Sequence, residues 1–76
     1  MNAEFEYRLG QRIRQFRRTR GLTQEQLAAQ MQVGGCENLT RSALAKIEAG
    51  QRHLYPDELR ALKRLLRVSY EDLLEE

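Results

Sequence analysis

Two stretches, "LTQEQL" at residues 22–27 and "LTRSAL" at residues 39–44, share one frame: an apolar residue, threonine, three variable residues, leucine. An apolar residue just before a Thr or Ser cap packs onto the residue four past the cap and so fixes the chain's entry into a helix. Each threonine hydroxyl can accept a bond from an unpaired N–H of the first turn, and Gln26 is placed to close a capping box. The frame recurs as "VSYEDL" at 68–73, with Ser69 as cap and Asp72 in the box position. It recurs more loosely as "LYPDEL" at 54–59, where Tyr55 caps poorly but Pro56 suits the first helical position. These four starts and an amphipathic opening segment predict five helices.

Helix 1 is expected over about residues 3–20. Phe5, Leu9, Ile13 and Phe16 step by four, four and three, the spacing of one buried stripe, and Gly21 follows as a left-handed stop. Its other faces hold Arg8, Arg12, Arg14, Arg17, Arg18 and Arg20, which read as a solvated face with a favourable charge at the helix C-terminus, a few of them within reach of phosphates. Helix 2, about 24–32, buries Leu27, Ala28 and Met31. The loop "VGGCENL" follows, because paired glycines and an asparagine do not continue a helix cheaply. Helix 3, about 41–49, turns Leu44 and Ile47 inward and ends at Gly50. Helix 4, about 56–66, buries Leu59, Leu62 and Leu66, and helix 5, about 70–75, buries Leu73 and, less clearly, Leu74. No strand signal competes.

The chain has 76 residues, 41% of them hydrophobic and 32% charged, which is the composition of a single small folded domain spanning 1–76. Such a domain buries roughly 60% of its unfolded surface, so its core is modest and has no room for an elaborate cleft. The opening "MNAEFEYRLGQR" lacks the apolar stretch of a signal peptide, and no run approaches a membrane span; the sequence reads as cytoplasmic. A single cysteine, Cys36, permits no internal disulfide and offers no zinc set, in keeping with a reducing compartment. The net charge of +2 hides an asymmetry: residues 1–67 carry +6, and residues 68–76 carry four acids and no base. A basic body favours a polyanion partner.

Helix N-termini carry roughly half a positive charge, so acids in the first turn stabilise by ~0.3–1 kcal/mol and a cation there gives up a similar amount. Helix 2 has Glu25, helix 4 has Asp57 and Glu58, and helix 5 has Glu71 and Asp72; helix 3 instead begins with Arg41. Local stability does not choose that arrangement. A negative partner does, because exposed N–H groups, the dipole and an arginine together attract an anion, and an arginine fork can also read guanine. Ser42 and Lys46, four apart, share the outer face opposite Leu44 and Ile47. Ala43 and Ala45 keep the helix slim enough for a groove about 12 Å wide. A neutral, solvated arginine is the bland alternative.

At this point "RQFRRTRGLTQEQLAAQM" followed by "LTRSALAKIEAGQRHLYPDELRALKRLLRVSYEDLL" resembles the XRE-type helix-turn-helix family, the Cro and phage-repressor group of DNA-binding domains. The likeness covers about residues 9–74 and is most specific in "GLTQEQLA", "LAKIEAG" and "RVSYEDLL". It implies an all-α, compact, five-helix repressor-like DNA-binding domain whose helix 3 lies in the major groove. By this resemblance Gln24 bonds a phosphate and braces the reading helix, while Arg41, Ser42 and Lys46 meet base edges. Gln51, Arg52 and His53 match the post-helix loop that holds backbone phosphate, and Glu48 matches a glutamate that pairs with a helix 1 arginine, here Arg17, in a structural role. The departure is the lengthened loop between helices 2 and 3, where a turn of three or four residues is usual. It puts the contact from Gln24 to the reading ridge in question more than it does Arg41 or Lys46.

The expectation is therefore a sequence-specific double-stranded DNA binder that regulates transcription, with no cofactor, no membrane and no small-molecule ligand. The competing reading is a protein-interaction module, for example part of an antitoxin-like complex, that uses the acidic tail and helix 5. Redox sensing by Cys36 is subordinate, because one thiol without a resolving partner rarely acts as a switch. An enzyme is the weakest reading: His53 is the sole histidine, and neither a triad nor a metal set can be assembled. A homodimer would let two copies read two half-sites, and Leu65, Tyr70 and Leu74 either supply its contact or finish the core.

Overall fold

The computed structural model describes residues 3–75; residues 1–2 and 76, which fall within the expected domain span and the acidic tail, lie outside the described residues. Those described form α1 (Ala3–Thr19), α2 (Gln24–Val33), α3 (Arg41–Glu48), α4 (Pro56–Leu66) and α5 (Tyr70–Leu74), with no strand among them. Each start agrees with the capping frame. Thr23 Oγ1 accepts from Gln26 N at 3.1 Å while Gln26 Oε1 accepts from Thr23 N at 2.9 Å. Ser69 and Asp72 close the same reciprocal pair at 3.0 Å each way. At α4 the Tyr55 side chain makes no cap bond, but Glu58 Oε1 accepts from Tyr55 N at 3.0 Å. At α3, Thr40 Oγ1 accepts from Ala43 N at 3.1 Å, and alanine in that third position leaves the box half closed.

The core gathers one stripe from every helix: Ile13, Leu27, Ala28, Met31, Leu44, Ile47, Leu62, Leu66 and Leu73, with Leu39 from the loop before α3. Leu9, Phe16, Leu59 and Leu65 are partly buried against it. Phe5 departs from the expected stripe, being 37% exposed. The reason is length: a 17-residue helix runs about 26 Å in a body measuring 29 × 21 × 20 Å, so the first turn of α1 reaches the rim.

The long connection between α2 and α3 is pinned at both ends. Gly34 N and Cys36 N donate to Gln30 O and Met31 O at 3.1 and 3.0 Å, and Gln32 Nε2 donates to Leu39 O at 3.2 Å. Leu39 is wholly buried, and as the apolar residue ahead of the Thr40 cap it has the place of a staple to Leu44. Glu37 and Asn38 are exposed, so the extra length bulges outward while the helix ends stay fixed.

Two glycines set the placement of α3. Gly10 lies against its last turn, where a Cβ would sit 2.3 Å from Ile47 O and 2.7 Å from Glu48 O. Only a residue without a side chain allows α1 and α3 to approach so closely. Gly50 stops α3 at φ 73°, beside the Tyr7 backbone.

Candidate nucleic-acid interface

Arg41, Ser42 and Lys46 are all exposed, Ser42 and Lys46 on the face of α3 opposite the buried Leu44 and Ile47 and Arg41 at the helix start, on the flank that borders α1. Among the described helices α3 alone has no acid in its first turn; α1 has Glu4 and Glu6, and α2, α4 and α5 have those expected. Arg41 stands at the first helical position. The outer face of α3 therefore combines a bare positive helix end, an arginine fork, a hydroxyl and an ammonium group.

The inner face is locked. Arg17 Nε and Nη2 donate to Glu48 Oε2 and Oε1 at 2.7 and 3.1 Å, a two-pronged pair buried between α1 and the end of α3. Arg17 Nη1 also donates to Leu22 O at 2.8 Å, which ties in the turn ahead of α2. Gln24 Nε2 donates to Glu48 Oε1 at 3.0 Å, and Gln11 Nε2 donates to Glu48 O at 3.2 Å. Glu48 thus gathers α1, α2 and α3 at one point, and the lengthened loop has not drawn Gln24 away from the third helix. Arginine's planar fork gives such a pair direction as well as energy.

The post-helix loop is held differently from what a free phosphate clamp requires. Gln51 is exposed, and its backbone N–H donates to Lys46 O at 2.8 Å. Arg52 turns inward onto Glu58, with Nη1–Oε1 at 2.9 Å and Nη2–Oε2 at 3.0 Å, and Nη1 also donates to His53 O at 2.9 Å. Burial pushes the Glu58 carboxyl up, but the bonds from Arg52 and the Tyr55 N–H outweigh it and hold its pKa below the usual value. The same pairing raises the pKa of Arg52. His53 Nδ1 lies 2.6 Å from Glu6 Oε1 on α1. Of the three loop residues expected to hold phosphate, Arg52 and His53 thus face carboxylates of their own chain, and Gln51 does not. Sequence reading saw Glu58 only as a first-turn acid and did not single out Glu6; no local signal marks either partner.

Cys36 is half-buried against the core. Desolvation, with Asp57 and Glu58 nearby, pushes its thiol up, which disfavours the reactive thiolate. Among the described residues no group of three or more His, Cys, Asp or Glu side chains is placed to hold a metal ion. No helix among them is long and apolar enough to cross a membrane.

A shallow groove runs between α1, the start of α2 and α3, lined by Arg14, Arg17, Arg18, Gln24, Arg41 and Ala45 among others. A helix with a bare cationic N-terminal face, braced from behind by the preceding helix, is the arrangement of a helix-turn-helix reader. A family model described as a helix-turn-helix domain matches residues 8–76. The chain belongs to that family, one of XRE-like helix-turn-helix domains. In general terms this is the domain of a DNA-binding regulator, with DNA as its implied partner, and the family is typically non-enzymatic. Comparison with curated proteins and with solved structures gave no match.

Proposed function

We propose that the chain is a sequence-specific, repressor-like transcriptional regulator that lays α3 in the major groove of double-stranded DNA. Arg41 and Lys46 read base edges by hydrogen bonding, Ser42 contributes a shorter polar contact, and the α3 N-terminus faces the phosphate backbone. Gln24 serves the reading helix through Glu48, with its remaining amide hydrogen and its carbonyl available to a phosphate-bound water or phosphate. Gln51 offers an uncommitted amide at the groove edge, whereas Arg52 and His53 shape the loop through Glu58 and Glu6.

The observation that carries this reading is the contrast between the two faces of α3. Its inner face is tied to α1 and α2 by the Arg17–Glu48–Gln24 cluster, and its outer face leaves Arg41 and Lys46 exposed. Rigid support and an open cationic front are what base discrimination requires. The reading is tested by measuring affinity for a preferred duplex across salt concentrations for wild type, Arg41→Ala and Lys46→Ala. Each variant is expected to lose ~1–3 kcal/mol on the preferred duplex while binding scrambled duplex nearly as before. Unchanged preference in both variants rejects the assignment of the reading face. The protein-module alternative predicts weak, sequence-indifferent DNA binding. It gains little support from α5, because Glu75 is turned back onto Arg12 and Lys63 covers the Tyr70 ring.

A further inference from the structure

The arginines of α1 divide into three groups once their partners are traced. Arg8 and Arg12 lie 4.0 and 3.4 Å from Glu75, whose one carboxylate offsets part of the charge of that flank of the helix. Arg17 is buried in its fork with Glu48. Arg14 and Arg18 remain: both are exposed, and among the described residues neither side chain has a hydrogen-bond or ion-pair partner. Four residues apart, they share one face of α1. Both line the groove that Arg41 and Gln24 border from the other side, so the two unpaired cations of α1 stand across from the start of the reading helix. The opposing charges in that groove are Glu25, on the exposed first turn of α2, and Glu48, whose carboxylate is already covered by Arg17 and Gln24.

We propose that Arg14 and Arg18 grip the sugar–phosphate strand flanking the major groove, extending the DNA footprint from α3 onto α1. The assignment rests on the reading of α3 given above. It also supplies cationic backbone contacts beside the neutral ones of Gln24 and Gln51, since Arg52 and His53 are taken up by Glu58 and Glu6. Helix-dipole stabilisation does not account for the pair, because that effect fades beyond the last turn and Arg14 lies before it. Backbone contacts supply affinity and register without reading sequence, so the two classes of arginine separate experimentally.

The test measures binding of the full chain to its selected duplex and to a scrambled duplex from about 50 to 200 mM salt. The proteins compared are wild type, Arg14→Gln/Arg18→Gln, Arg14→Lys/Arg18→Lys, and the control Arg60→Gln/Arg64→Gln on α4. Each lost phosphate contact flattens the slope of log affinity against log salt by about 0.9, so the glutamine pair is expected to flatten it by about 1.8. Its preference for selected over scrambled duplex stays that of wild type, the lysine pair restores the slope, and the α4 pair leaves it unchanged. A wild-type slope in the glutamine pair, failed rescue by lysine, or equal flattening in the α4 control overturns the α1 assignment while leaving α3 as the reader. A wild type with no preference among duplexes overturns the reading of α3 and this assignment with it.

Discussion

Replacing Gly10 by alanine sets two physical effects of opposite sign against each other. Helix propensity alone favours alanine by about 1 kcal/mol in a helix interior. The structure reverses that expectation, because the new Cβ would lie 2.3 Å from Ile47 O, 2.7 Å from Glu48 O and 2.9 Å from the Glu48 carbonyl carbon. Ordinary carbon–oxygen contacts begin near ~3.3 Å, so α1 and α3 must separate by about 1 Å. All three obstructing atoms are backbone, so no rotamer change relieves the clash. Overpacking of this kind costs about 1–3 kcal/mol, and the separation also pulls at the Arg17–Glu48 fork. A backbone clash belongs in the upper part of that range, so after the ~1 kcal/mol propensity gain is subtracted a net loss of about 1–2 kcal/mol remains. At roughly 4–8 °C per kcal/mol for a domain of this size, the variant is expected to melt about 4–16 °C below wild type by circular dichroism. Gly34→Ala provides the contrast: that residue sits at φ −80° with nothing nearer than 3.4 Å to an added Cβ. It should be neutral or gain about 0.4–1 kcal/mol. A Gly10→Ala protein as stable as wild type, or more so, would refute the claim that α3 is positioned by close backbone approach.

Arg17→Ala leaves the Glu48 carboxylate buried with only the Gln24 side chain, and breaking a buried pair from one side costs about 3–5 kcal/mol. That is a large part of the roughly 4–11 kcal/mol expected for 76 residues. Urea unfolding of Arg17→Ala should show the loss and Arg17→Met/Glu48→Leu should recover most of it; a single-variant cost under about 1 kcal/mol speaks against a buried ion pair. For Glu58, whose native pKa is depressed, the sign follows from linkage: its contribution is present above the ordinary carboxyl range near ~4.3 and is lost as pH falls through the lower native value. The stability gap between wild type and Glu58→Gln should therefore be widest near neutrality and narrow in acid, whereas a gap independent of pH would mean that the Arg52–Glu58 pair contributes nothing through charge.

Local chemistry made the five helices legible. A cap, a box residue and an apolar staple all lie within six residues, so the start positions at Gln24, Arg41, Pro56 and Tyr70 could be read without tertiary information. Periodicity set Ser42 and Lys46 opposite Leu44 and Ile47 for the same reason, and first-turn charge singled out Arg41. What stayed hidden depends on distances between elements. Phe5 fits the α1 stripe by spacing, yet its exposure follows from the size of the body that α1 packs on. The loop before α3 read only as a lengthened break between two helices, and the buried Leu39 and the Gln32 bond reveal an anchor. Charge pairing was the least legible feature. Arg52 and Arg41 look alike in the sequence, but Glu58 takes up the first and leaves the second free. Among the α1 arginines, resemblance alone pointed to Arg17 as the partner of Glu48, and Glu75 as a partner of Arg8 and Arg12 required the fold.

The most direct measurement is selection of bound sequences from a random duplex pool, carried out in parallel with wild type and Arg41→Ala. The account predicts a defined motif for wild type, and for the variant the same motif with preference lost at one base pair. A palindromic motif would further indicate two copies on one site. Identical motifs from both proteins, or no enrichment by wild type, would contradict the assignment of the α3 outer face as the part that reads DNA.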